Sequence, residues 1–303
     1  MRIAVTGREG QVVRSLIERA PKRGHEVVPL GRPDFDLRGD AETIRGALAA
    51  VSPDAIVSAA AYTAVDRAES ESDVAFAVNE HGARAVAQAA RSLDVPLIHL
   101  STDYVFSGSK AGPYLESDAT DPAGVYGASK LAGERAVREA FDNSAIVRTG
   151  WVYSPFATNF AKTMLRIGAN HDEVAVVADQ RGNPTSALDI ADGLLSIAAN
   201  LVASDKADLR GVFHMTADGQ ATWADFAEAI FSASGSINGP TARVRRIGTA
   251  EYPTAAKRPS NSSLDCSKVE RVHSVRLPEW RTSVPAVVRR LVRELNSVGA
   301  SRS

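Results

Sequence analysis

A single cysteine in 303 residues, Cys266, excludes an intramolecular disulfide and any cysteine-built metal cluster. That scarcity fits a reducing compartment. No run of about 18 apolar residues occurs, so no segment reads as a membrane span. The formal net charge of -1 gives no global field that would draw the chain to nucleic acid or an anionic membrane. The local cluster Arg243-Val244-Arg245-Arg246 reads as a solvated face. Internal repeats and low-complexity segments are also missing. The chain opens on the strand-like Arg2-Ile3-Ala4-Val5 with no apolar leader core, and the expected location is the cytoplasm.

What is present is ordinary globular composition, 44% hydrophobic and 23% charged, over a length ample for a sizeable core. Short β-branched runs alternate with longer Ala/Arg/Glu-rich stretches. The expected strands are 3–6, 26–30, 55–58, 97–101 and 145–148, with helices at 11–19, 41–51, 73–93 and 126–141. That order predicts an α/β fold, a doubly wound parallel sheet of the Rossmann type. Beyond Trp151 the pattern loosens to helices at 159–168 and 188–201, a strand at 211–215, and a helix at 223–234 that Thr222 caps. Residues 1–150 are expected to form a dinucleotide-binding domain to which segments around 186–220 return. Residues 151–185 and 221–295 should form a smaller substrate-binding lobe, and 296–303 a fraying tail.

Thr6-Gly7-Arg8-Glu9-Gly10-Gln11 follows the first strand and opens a helix. Gly7 and Gly10 let the backbone turn tightly and approach a pyrophosphate seated at the helix N-terminus, where Gln11 begins. Two spaced glycines also make plain turns, but the strand–glycine–helix context favours a dinucleotide. The usual third glycine falls at Val13, which should hold helix and strand apart, and Glu9 adds negative charge near the phosphates. The second strand ends in Leu30-Gly31-Arg32. An acidic residue there would suit the ribose of NAD, whereas an arginine suits a 2′-phosphate. Arg32, with Arg8 as a second contact, therefore points to NADPH, with NADH as the alternative; a solvated surface arginine is the plainer reading.

Tyr126-Gly127-Ala128-Ser129-Lys130 puts a phenol and an ammonium four residues apart, on one helix face. A nearby ammonium would lower the phenol's ordinary pKa of about 10 and make it a better acid near neutrality. Tyr-x-x-x-Lys by itself is a common surface pattern. Here it follows a strand ending in Ser101-Thr102-Asp103-Tyr104-Val105-Phe106, at the end of the sheet where this architecture binds ligands. Thr102 could bond a substrate oxygen while Tyr126 delivers the proton; capping of the strand end is its other reading.

With these motifs assembled, the chain resembles the extended short-chain dehydrogenase/reductase superfamily and, within it, the dTDP-4-dehydrorhamnose reductase family. The resemblance spans about residues 1–290. It rests on Ala59-Ala60-Ala61-Tyr62-Thr63-Ala64-Val65-Asp66, on the 101–106 segment, and on Lys130-Leu131-Ala132-Gly133-Glu134. Arg148-Thr149-Gly150-Trp151, the stretch from Asn159, Asp179-Gln180-Arg181-Gly182-Asn183-Pro184-Thr185 and Arg258-Pro259-Ser260-Asn261-Ser262 complete it. The resemblance implies catalysis by Thr102, Tyr126 and Lys130, the latter two also touching the cofactor. It implies a cofactor lined by Ala60, Ala61 and Tyr62, with Asn79 shaping the sheet nearby. Val65, Asp103 and Trp151 would face the sugar, and Asn159, Gln180 and Arg258 would serve the nucleotide or diphosphate.

The implied activity is NADPH-dependent reduction of the 4-keto group of dTDP-4-dehydro-β-L-rhamnose. The alternatives are another nucleotide-sugar 4-ketoreductase, or a regulatory subunit such as that of methionine adenosyltransferase. Gly124 stands where many relatives have asparagine. A homodimer is compatible with the resemblance. Some members dimerise through a metal held by glutamates, but the corresponding turn here is Arg14-Ser15-Leu16, so no metal is assigned.

Overall fold

The computed structural model describes residues 1–300, with side chains through Ser297. Its first half alternates strand and helix. β1 (Arg2–Thr6), α1 (Gln11–Arg19), β2 (Glu26–Leu30), α2 (Ala41–Val51) and β3 (Ala55–Ser58) come first. They are followed by α3 (Val65–Ala68), α4 (Ser72–Phe76), α5 (Ala83–Leu93), β4 (Leu97–Thr102), α6 (Val125–Ala140) and β5 (Ser144–Thr149). The second half holds β6 (Val152–Tyr153), α7 (Phe160–Gly168), β7 (Glu173–Val177), β8 (Arg181–Gly182), β9 (Thr185–Ser186) and α8 (Ala187–Ala203). Then come β10 (Gly211–His214), β11 (Ala221–Thr222), α9 (Trp223–Gly235), β12 (Arg243–Ile247), α10 (Ser267–His273) and α11 (Trp280–Ala300).

Six strands form one sheet in the order β10-β5-β4-β3-β1-β2, with every neighbouring pair parallel. β3 and β4 are buried throughout, as parallel strands covered on both faces must be. The chain leaves β1 to one side for β2 and to the other for β3, so the β1/β3 junction is the crossover where such sheets open a ligand crevice. The sequence-expected doubly wound α/β fold is the observed one.

One face of the sheet packs Ile3, Val5, Val13 and Leu16 against Ile190, Leu194 and Ile197 of α8. Val269, Val275 and Leu277, which the sequence assigns to the smaller lobe, join this core. A separate core gathers Tyr153, Leu165, Phe226, Ile230, Trp280 and Val288 from β6, α7, α9 and α11. Around it lie the parallel pair β7–β12 and the short antiparallel pair β8–β11. α9 begins with a reciprocal capping box, Asp225 N donating to Thr222 Oγ1 and Thr222 N to Asp225 Oδ2. α11 continues past Asn296, where the sequence reads as a tail, to Ala300; residues 301–303 lie outside the described residues.

The helix expected over 73–93 is interrupted. A π-helical turn, Ala77–Gly82, separates α4 from α5. The extra residue lets Asn79 turn inward, its Oδ1 accepting from Tyr62 N (2.8 Å) and its Nδ2 donating to Tyr62 O and Ser129 Oγ. Such bulges commonly serve a site rather than the helix. Here it ties the segment after β3 to the helix that carries Tyr126.

Candidate active site

The carboxyl ends of four neighbouring strands open into one cleft of about 1260 Å³. Gly7 follows β1, Ala60 follows β3, Thr102 ends β4 and Gly150 follows β5, and all of them line it. At the β1 end, Gly7 adopts φ +103°, and a Cβ there would sit 3.2 Å from Val13 Cγ2 and 3.6 Å from Ala60 Cβ. Gly10 caps α1 without a side-chain acceptor, so the first-turn amides of α1 lack a side-chain cap on their cleft side. Thr6 Oγ1 accepts from Ala59 N and Ala60 N, locking the two strand ends together. Gln11 fixes the helix start by donating to Val152 O and accepting from Ser154 Oγ. A tight turn whose positive φ suits glycine, facing uncapped amides, fits a dinucleotide pyrophosphate.

Val13 is packed into the core beneath the glycine turn. It is 2% exposed and fills the space between β1, Gly7 and α1, so the chain has packed around the valine. Glu9 lines the cleft and pairs with Arg14 at 2.9 Å. Past β2, exposed Arg32 shares the cleft rim with Arg8 and with Arg38, which the motif reading passed over. Arg8 pairs with Asp34 at 2.7 Å and Arg38 with Asp36 at 2.9 Å. Tyr62 lines the cleft and donates its hydroxyl to Glu71 at 2.6 Å.

Thr102, Asp103 and Tyr126 line the same cleft, close enough for the Thr102 hydroxyl to act on both neighbours. Thr102 donates its hydroxyl hydrogen to Asp103 Oδ1 (2.9 Å) and accepts from Tyr104 N (3.2 Å). Asp103 is 2% exposed, and among the described residues its Oδ2 has no hydrogen-bond partner. Burial pushes its carboxyl up to about 6, against the pull of the Ser262 and Thr102 hydroxyls. Tyr126 packs edge-on to Tyr104, with ring centroids 5.7 Å apart. Burial raises the Tyr126 phenol above its ordinary value, with the Thr102 hydroxyl opposing.

The sequence leads one to expect a lowered phenol, because Lys130 lies one turn away. The structure differs because burial governs the phenol, while Lys130 Nζ donates to Leu100 O at 2.7 Å. Burial brings the lysine down to about 8, with Glu134 opposing. Glu134 itself forms a buried two-pronged pair with Arg148 at 2.8 and 2.6 Å and accepts from Ser101 Oγ. This pair bolts α6 to the ends of β4 and β5. Glu134 follows Lys130 by four residues on the same helix face, which is the one local signal of its place.

Val65, Trp151 and Asn159 line the cleft as well. Asn159, however, uses its amide as the cap of α7, accepting from Lys162 N and donating to Ser154 O. Gln180 and Arg258 do not line the cleft. Gln180 donates to Thr249 Oγ1 at 3.0 Å, and Arg258 pairs with Asp66 at 2.6 Å. Trp223, which the sequence reads only as a helix start, stacks on Trp151 at the cleft wall.

The family model described as "RmlD substrate binding domain" matches residues 1–293. A curated dTDP-4-dehydrorhamnose reductase of Sinorhizobium fredii is 51% identical, covering 97% of this chain and 99% of that protein. The crystal structure of a dTDP-4-dehydrorhamnose reductase from Clostridium acetobutylicum superposes with a TM-score of 0.88 at 34% identity, covering 95% of this chain and 99% of the other. That of the Bacillus anthracis enzyme in complex with NADP gives 0.87 at 33% identity, over 94% and 98%. Among the described residues, no helix is long and apolar enough to cross a membrane.

Proposed function

Because the chain belongs to the dTDP-4-dehydrorhamnose reductase family, we propose that its cleft performs that family's reaction with Thr102, Tyr126 and Lys130 as the working residues. The reaction is reduction of the 4-keto group of dTDP-4-dehydro-β-L-rhamnose to the alcohol of dTDP-L-rhamnose. The observation that carries the assignment is the meeting of Thr102, Asp103 and Tyr126 in the same cleft as the glycine turn after β1.

The pyrophosphate of NADPH would lie over Gly7 and the first amides of α1, and its 2′-phosphate would face Arg8, Arg32 and Arg38. When bound, the reduced dinucleotide supplies the hydride that reduces C4. Tyr126 gives its phenolic proton to the substrate oxygen as charge develops there. A phenol raised by burial keeps that proton at neutral pH until a stronger base forms beside it. Lys130, pushed down to about 8, is still largely an ammonium at pH 7; it anchors the end of β4 through Leu100 O. Thr102 has one hydroxyl hydrogen, and Asp103 holds it, so donation to substrate requires Thr102 to turn from that carboxylate. Val65, Asp103 and Trp151 would line the hexose.

Tyr126→Phe removes the proton donor and little else. Turnover should fall at least about 100-fold, with NADPH affinity and thermal stability unchanged. A phenylalanine protein that turns over at the wild-type rate would reject Tyr126 as the acid.

A further inference from the structure

Trp151 sits just after β5 with φ +50°, a left-handed conformation that a non-glycine residue keeps only where its surroundings enforce it. Several contacts enforce it here. Its indole Nε1 donates to Ser262 Oγ at 3.0 Å, and its carbonyl accepts from Thr185 N at 3.1 Å. Gly182 lies so close that a Cβ there would overlap the indole. The remaining contact is a ring: Trp223 stacks on Trp151 with centroids 3.6 Å apart and planes 5° from parallel.

Trp223 is itself held firmly. It is the first residue of α9, behind the Thr222–Asp225 capping box, and β11 before it pairs with β8 so that Ala221 faces Gly182. Phe160 packs on it at 4.7 Å. The second core thus presents one indole to another across the cleft wall. Neither ring belongs to the proton-transfer group.

We propose that Trp223 is a positioning residue for the sugar: through the stack it fixes Trp151 as the flat wall against which the apolar C–H face of the 6-deoxyhexose rests. The inference builds on the reading that the cleft takes a dTDP-hexose. An aromatic stack contributes up to about 1.5 kcal/mol beyond buried area, enough for about a tenfold effect on affinity. The nucleotide portion, which this wall would not touch, should be indifferent to it.

The test exploits the tryptophan count. Of three tryptophans, only Trp151 and Trp223 are stacked on each other, so their exciton couplet in circular dichroism reports this contact. In Trp223→Leu the couplet should vanish and KM for dTDP-4-dehydro-β-L-rhamnose should rise about tenfold. Inhibition by dTDP and the Kd for NADPH should stay within about twofold, and Trp223→Phe should restore most of the KM. An unchanged sugar KM without the couplet, or parallel weakening of dTDP and NADPH, would overturn the proposal. A second measurement needs no variant: dTDP-L-rhamnose should perturb the wild-type couplet, and dTDP should not. If the product binds without disturbing the couplet, Trp223 has no such role; if the product does not bind at all, the underlying reading of the cleft fails instead.

Discussion

Asp103 is where residue chemistry and pH meet most directly. Its folded carboxyl titrates about 6, above the ordinary 3.8, because burial disfavours the charge. The folded state therefore holds an extra proton between those values, and stability falls as pH rises through that window. The cost is complete above about pH 6 and absent below the unfolded pKa. Asp103→Asn removes it. The asparagine protein should be more stable than wild type at pH 8, by up to about 3 kcal/mol, and the difference should close as the pH falls toward 4. Denaturant titrations across that range measure it, and a gap independent of pH would show that the carboxyl is not strained by burial. The same ionisation decides where the Thr102 hydrogen points, because a protonated Asp103 no longer demands it.

Among the elements, α1 carries the least expected residue of the glycine turn. Val13 in place of a third glycine implies a gap between helix and strand, but the valine lies in the core with Ile3, Val5 and Leu16. Val13→Gly should therefore open a cavity and weaken the helix start, costing about 2–3 kcal/mol, with no gain in NADPH affinity. Melting curves with calorimetric titration separate the two readings, and tighter NADPH binding in the glycine protein would restore the idea of a compromised loop. The π turn at Ala77–Gly82 was illegible for a related reason. Periodicity over 73–93 reads as one helix, and only the contact of Asn79 with Tyr62 and Ser129, 17 and 50 residues away, requires the extra residue.

For the molecule as a whole, what could be read in advance was what depends on near neighbours. Alternating strand and helix patterns foretold the sheet, and the four-residue spacing of Tyr126 and Lys130 put them on one helix. Features set by distant pairing were hidden. Nothing local says that Glu134 bridges to Arg148, that Trp223 faces Trp151, that Arg38 returns to the cleft rim, or that Lys130 donates to Leu100 O. The partners of Gln180 and Arg258, Thr249 and Asp66, were equally hidden, being 69 and 192 residues away in the chain. The reaction proposed for this cleft is reduction of the ketone of a dTDP-hexose. Its most direct test follows NADPH consumption with dTDP-4-dehydro-β-L-rhamnose beside the UDP and GDP counterparts. The account predicts stoichiometric conversion to dTDP-L-rhamnose, with kcat/KM at least about tenfold above either counterpart; no NADPH consumption, or equal rates with all three nucleotides, would contradict it.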